Sequence, residues 1–277
     1  MEAPPLTIEN IRRELTTTQL GRQLRLHGEL SSTNEEAVNL AQAGAEHGTV
    51  VVAESQTAGR GRHGRRWFSP PGYNLYCSVL ARTVLSPGPV APAERLSWIP
   101  LVAAVAVTEA VHATAGVPLS LKWPNDLLLD DRKVGGILCE SGSIGSTAAF
   151  VVIGLGLNVN GPRNLFPPEL QSVAASLRER TDGPIDRSRL LARWLLELEQ
   201  LLDSLITHSP RQLRDAYVAR CSTIGRQVKA RLGEGRDVIG TAVGIGEDGS
   251  LHVLPGRNST ARQIIEIRAA DVIHLRE

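Results

Sequence analysis

Apolar positions follow two rhythms along the chain. Over residues 190–205, Leu190, Leu191, Trp194, Leu195, Leu198, Leu201, Leu202 and Leu205 recur at helical spacing, with Arg189, Arg193, Glu197 and Gln200 on the other face. That pattern predicts an amphipathic helix. Residues 96–113 are apolar nearly all round and predict a buried helix. Ser31, Ser32, Thr33 and Asn34 are helix-starting residues followed by Glu35 and Glu36, so a helix should run to about residue 45. Residues 6–20 predict a shorter helix. Strand character falls at residues 22–27 (an edge strand), 49–53, 74–81, 120–123, 126–129, 133–139 and 148–158, with Asp130, Asp131 and Arg132 as the turn of a hairpin. Residues 55–72 are rich in Gly, Arg, Ser and Pro and read as a long loop, a feature usually functional or mobile in compact domains.

The rhythm changes near Cys221. Short strands at 227–232, 238–244, 250–254, 261–266 and 272–275 alternate with turn signals, Glu234-Gly235 and Asp248-Gly249 among them. This predicts a small closed β barrel, and the chain divides into residues 1–221 and 222–277. The 277 residues carry 30 Lys plus Arg against 29 Asp plus Glu. Such a balance gives no global pull toward DNA or an anionic membrane, so any anion site must be a local cluster. Cys77, Cys139 and Cys221 are too few and too odd for a disulfide framework, and the first two sit in apolar, strand-like runs as small core residues. The first ten residues lack the basic and apolar parts of a signal peptide, and no run reaches the roughly 18 apolar residues of a membrane span. The cytoplasm is the expected compartment.

Three polar clusters interrupt these elements. Gly59-Arg60-Gly61-Arg62-His63-Gly64-Arg65-Arg66-Trp67 places four arginines and three glycines in a loop after a strand. Glycine lets backbone N–H groups close on an anion, and arginine adds forked donors matched to carboxylate and phosphate. The same composition suits an RNA- or DNA-binding loop, although the neutral net charge and the single stacking face of Trp67 weigh against it. The second cluster, Lys122-Trp123-Pro124-Asn125-Asp126 with Lys133-Val134-Gly135-Gly136-Ile137, puts two lysines, an amide and a carboxylate on or beside paired strands. Its plainer alternative is a Pro-Asn-Asp turn with exposed lysines. In the third, Gly154-Leu155-Gly156-Leu157-Asn158, glycines two apart should leave one sheet face bare for a flat or ring-shaped ligand, with Asn158 at the strand end. The alternative there is a glycine-weakened strand ending in an Asn turn.

Taken in this order, the Ser31–Asn34 segment and the three clusters resemble the biotin protein ligases, by motif over roughly residues 25–160 and by the small β domain to residue 277. The resemblance implies an α+β fold: a mixed sheet with helices, related to class II aminoacyl-tRNA synthetases, plus a C-terminal SH3-like barrel. It implies ATP-dependent ligation of biotin to one lysine of a biotin carboxyl carrier protein through biotinyl-5′-AMP, with Mg²⁺. The enzyme would be a monomer or homodimer with no DNA or membrane partner. By the same resemblance Lys133, Arg60 and Asp126 are the catalytic residues. Ser32, Thr33, Asn34, Gln56, Gly59, Arg60, Arg62, Lys133, Gly136 and Gly154 would bind biotin. Arg62, Arg65, Trp67, Asn125 and Asn158 would bind ATP, and Asn125 would be a metal ligand. Only about 25 residues precede the catalytic region, too few for the helix-turn-helix domain of bifunctional members. His63 replaces a position often basic in the family. A lipoate–protein ligase of the same fold is the nearest alternative; a protein that only senses biotin is another, disfavoured because every polar motif residue is present.

Overall fold

β-branched and apolar runs form the inner strands of one large sheet. The computed structural model describes residues 4–82, 85–86, 91–144, 147–208, 210–232, 237–256 and 263–275. Strands β1 (Leu24–Leu30), β2 (Val50–Gln56), β3 (Leu75–Ala81), β4 (Ser120–Lys122), β5 (Asp126–Leu129), β6 (Arg132–Ile144) and β7 (Thr147–Leu157) are ordered β1-β2-β3-β7-β6-β5-β4. β1 and β2 run parallel and the other pairs antiparallel, a mixed sheet as expected. The predicted edge strand is β1, at the sheet's margin.

The two faces of the sheet are used differently, and β7 shows how. Val151, Ile153, Leu155 and Leu157 point into the main core with helices α3 (Pro92–Ala115) and α4 (Arg187–Thr207). α3 is long and apolar enough to cross a membrane, but Trp98, Ile99 and Ala103 to Ala106 are buried in that core. On the other face Phe150 and Val152 pack under α2 (Thr33–Gln42) with Ala37 and Ala41. Gly154 and Gly156 continue that second face beyond the helix N-terminus. The strand thus passes from a packed half to a half that can border a cavity.

Helix α1 (Ile8–Glu14) is shorter than the predicted 6–20. Leu15 turns extended, and the N–H groups of Thr18, Gln19 and Leu20 donate instead to the Glu199 carboxylate on α4 at 2.7–2.8 Å. Burial disfavours ionisation of Glu199, but these bonds outweigh it and hold its carboxyl below the ordinary 4.5. The stability it contributes is therefore full above that value and is lost as pH falls through the lower folded value. Glu199→Ala should cost about 2–4 kcal/mol at pH 7 and flatten the acid limb of stability. Urea titrations at several pH values check this, and an unchanged acid limb would count against it.

The predicted hairpin turn holds Asp130 and Asp131 at φ of 50° and 59°, the left-handed pair that a two-residue turn requires. α5 (Arg211–Val218) is not foreseen, because only Leu213 and Tyr217 bury a face of it. Beyond residue 222, β8 (Gln227–Arg231), β9 (Asp237–Ile245), β10 (Leu251–Pro255), β11 (Ile265–Ile267) and β12 (Asp271–His274) form an antiparallel sheet ordered β11-β10-β9-β8-β12. Among the described residues no pairing joins β11 to β12, so the expected barrel closure is not seen. The predicted Glu234-Gly235 turn and the start of the 261–266 strand lie outside the described residues. Gly249, at φ 78°, makes the predicted Asp-Gly turn, which docks on α3. Trp98 Nε1 donates to Glu247 O at 2.7 Å, Ser97 Oγ to Asp248 O at 2.6 Å, and Trp123 Nε1 to Gly249 O at 3.0 Å.

Candidate active site

A cavity of about 270 Å³ opens on the glycine half of the sheet. Its walls bring together Ser32, Thr33 and Asn34 at the start of α2, Gln56 at the end of β2, the loop residues Arg60, Arg62, Arg65 and Trp67, Asn125 and Asp126 before and on β5, and Lys133, Gly136, Gly154 and Asn158. Every residue that the sequence nominates lines it except Gly59. That glycine is buried beneath the loop, where a Cβ would meet Ser69 Oγ and the Trp67 carbonyl at 2.7 Å. Having no Cβ, it lets the base of the loop close.

The glycine strand face borders the cavity, but it is not wholly bare. A Cβ on Gly154 would collide with the Asn34 carboxamide, and one on Gly156 with the Trp67 indole at 2.6 Å. Two side chains from other elements therefore already cover this face. The Trp67 Nε1 is buried and has no partner.

The arginine loop is a small folded unit. Gly61 N donates to Arg65 O at 2.7 Å, Trp67 N donates to Gly59 O at 2.9 Å, and His63 sits at φ 57° before Gly64 at 71°. Arg62 Nη1 reaches Asn125 Oδ1 at 3.4 Å and Ala270 O at 3.1 Å, and Arg65 pairs with Asp271 at 2.9 Å. The loop is thus held between the hairpin and the C-terminal sheet, a tie the sequence does not suggest.

Lys133 lies across the site. Its stem runs over Gly136, its ammonium is 2.5 Å from Asp126 Oδ1, and it sits 5.6 Å from the centroid of Trp67. Burial lowers the pKa of nearby Lys122, with Asp126 pulling the other way. Burial likewise lowers that of Arg62. The cavity wall formed by Arg62, Arg65 and Lys133 is strongly cationic and suits phosphate or carboxylate.

Another part of the wall is a polar relay. Thr33 N donates to Gln56 Oε1 at 2.9 Å, Gln56 Nε2 donates to Ser69 Oγ at 3.0 Å, and Ser78 joins Thr33 to Asn34. Asn158 is buried and donates to Ala175 O at 3.0 Å, so it also fixes the segment that crosses the mouth. That segment supplies Phe166, Leu170, Val173 and Ala174 to the wall, tied to β6 by Lys133 N donating to Val173 O at 2.8 Å. Its residues follow no period and are broken by Pro167 and Pro168, so pattern reading passes them over. Among the described residues no three His, Cys, Asp or Glu side chains cluster as a metal site.

Comparison with known proteins follows the same two-part layout. Residues 28–158 match the biotin/lipoate A/B protein ligase family, and residues 223–275 match the biotin protein ligase C-terminal domain. The chain is 37% identical over 278 residues to the biotin–[acetyl-CoA-carboxylase] ligase of Mycobacterium tuberculosis, covering 99% of this chain and 97% of that one. It is 35% identical to the bifunctional ligase/repressor BirA of Bacillus subtilis, over 96% of this chain and 78% of the relative. Among solved structures, a biotin protein ligase from Aquifex aeolicus in complex with biotin and ATP superposes with a TM-score of 0.75 at 30% identity, covering 92% of this chain and all of that one.

Proposed function

The chain belongs to the biotin protein ligase family, and on that premise we propose that it uses ATP to join biotin to a lysine of a biotin carboxyl carrier protein through biotinyl-5′-AMP. The observation that carries this is one cavity whose wall joins the neutral polar relay of Thr33 and Gln56 to the cations Arg60, Arg62, Arg65 and Lys133. A free carboxylate resists attack by an amine because it is anionic. Transfer of AMP to it gives a mixed anhydride and pyrophosphate. The biotin carboxylate and the α-phosphate must be brought together against their repulsion, and Arg60, Arg62 and Lys133 line the space where they would meet. The ureido end then falls against Thr33 and Gln56, and the nucleotide against Arg65, Trp67, Asn125 and Asn158.

Asn125 Oδ1 and the Asp126 carboxylate are oxygen donors of the kind Mg²⁺ takes. They would hold Mg²⁺ that enters with the nucleotide, and the ion would add positive charge beside the phosphates. In the second step the carrier amine expels AMP. A free lysine has a pKa near 10.4, so it arrives protonated, and Asp126, now paired with Lys133, would accept that proton once this hold loosens. Residues 1–221 would hold this chemistry and residues 222–277 would form a second domain.

The test is transfer to a purified biotin carboxyl carrier domain with ATP, Mg²⁺ and biotin, read as one added biotinyl group on one lysine. ATP–pyrophosphate exchange driven by lipoate and not by biotin would replace this reading with the lipoate ligase. The loop offers a second check. Arg60 and Arg65 are paired with part-exposed carboxylates, Glu140 and Asp271, which hold them weakly, so trypsin should cut after Arg60, Arg62, Arg65 or Arg66 more slowly once biotin and ATP saturate the enzyme. Equal cutting rates would count against loop ordering by ligand.

A further inference from the structure

Glu140 has no part in the reaction just described, yet its carboxylate joins two walls of the cavity. It follows Gly136 and Leu138 on the ligand-facing side of β6. Oε2 accepts from Asn34 Nδ2 at 2.7 Å and from Arg60 Nη2 at 3.3 Å. We propose that Glu140 is a positioning residue that sets the hydrogen-bond polarity of the biotin subsite through Asn34 and holds Arg60 over the cavity. This rests on the assignment of Thr33, Gln56 and Arg60 to biotin.

The polarity follows from counting protons. A carboxylate only accepts, so Asn34 must turn its nitrogen toward Glu140. The same nitrogen also donates to Leu138 O at 3.1 Å, which leaves Asn34 Oδ1 facing Ser78. Ser78 has one hydroxyl proton and faces two oxygens, Asn34 Oδ1 at 2.6 Å and Thr33 Oγ1 at 2.8 Å. Asn34 Oδ1 cannot donate, so the Ser78 proton goes there and Ser78 accepts from the Thr33 hydroxyl. Thr33 Oγ1 then presents only lone pairs to the cavity. Its longer contact, 3.3 Å to Gln56 Oε1, is then left without the hydroxyl proton that could otherwise bridge it. Two acceptors side by side call for a ligand N–H between them. The cyclic urea of biotin carries such a donor, and a dithiolane ring does not. Without Glu140 only the longer bond to Leu138 O would hold the Asn34 amide in this orientation, and in the flipped fraction Ser78 would donate to Thr33 and the wall would offer a proton where the ligand also brings one. Arg60 would at the same time lose its anchor near the reacting carboxylate.

Full-length Glu140→Ala and Glu140→Gln, assayed by ATP–pyrophosphate exchange with biotin and ATP varied in turn, test this. Glu140→Ala should raise the KM for biotin about tenfold, while the KM for ATP and the melting temperature stay close to wild type. Glu140→Gln should fall between, because its amide oxygen can still accept from Asn34 but its charge on Arg60 is gone. If Glu140→Ala does not fold, the isosteric Glu140→Gln decides on the same split of constants. A biotin KM within about twofold of wild type in folded variants overturns the proposal, as does a parallel rise in both KM values with a fall in melting temperature. Absence of biotin-driven exchange in the wild-type protein would instead overturn the functional assignment.

Discussion

Lys133→Ala is expected to slow biotin-dependent ATP–pyrophosphate exchange by about 10²–10³-fold and to leave the melting temperature nearly unchanged. The side chain is partly exposed and rests on Gly136 without filling a core position. Removing it opens no buried cavity, so little stability is at stake. The electrostatic loss is larger. Lys133 brings a cation to the space where a carboxylate and a phosphate must approach, and it neutralises Asp126 at 2.5 Å. Without it Asp126 loses its directly paired cation and faces two more anions, which disfavours the charge that grows along the reaction. The loss therefore falls mainly on kcat, with a smaller change in the KM for biotin. Lys133→Arg should rescue poorly, because a planar fork cannot lie over Gly136 and reach Asp126 as a compact ammonium does. Near-wild-type exchange in Lys133→Ala would remove this residue from the reaction.

Most of what places Lys133 can be read in the chain itself. The Asp130-Asp131 pair between alternating runs marks the hairpin, and the hairpin sets Lys133 near Asp126. The Gly/Arg loop declares its chemistry by composition, and the apolar run of β7 declares a central strand. Legibility fails where a residue's role depends on a distant partner. Gly154 and Gly156 are spaced as if to bare a strand face, and only the fold shows Asn34 and Trp67 filling it. Gly59 shares a motif with lining residues but is enclosed by Ser69 and Trp67. Glu140 ends an apolar strand run with nothing local to mark it, and its partners are 106 and 80 positions away. The shortening of α1 has the same origin. Residues 15–20 hold three consecutive threonines, which are poor helix formers, and Glu199 takes the N–H groups a helix would have used.

Removal of residues 222–277 should do more damage than loss of a passive tail, and the contacts at the junction say why. Trp98 and Trp123 are at most 2% exposed, and both indoles donate to carbonyls of the turn around Gly249. A Cβ on Gly249 would lie 3.0 Å from Leu101, so that turn is seated directly on α3. Trp123 N also donates to Thr223 Oγ1 at 3.0 Å, and Ser222 N donates to Leu121 O at 2.8 Å. Cutting at residue 221 uncovers these apolar surfaces, at roughly 25 cal/mol for each Å² returned to water. Several kcal/mol lost from a typical total of about 5–15 leaves little margin. The fragment 1–221 should melt well below the full chain, show red-shifted tryptophan emission and bind hydrophobic dye. It should also release Arg62 from Ala270 O and Arg65 from Asp271, so that any folded fraction has a raised KM for ATP. Asp271→Ala in the full chain separates the two effects. Arg65 and Asp271 are partly exposed, so their pairing contributes at most about 1 kcal/mol to stability, and melting should not move. A several-fold rise in the KM for ATP without loss of stability would then belong to loop placement alone. If the fragment melts with the full chain and keeps both its ATP and its carrier constants, the C-terminal strands neither support the fold nor serve the reaction.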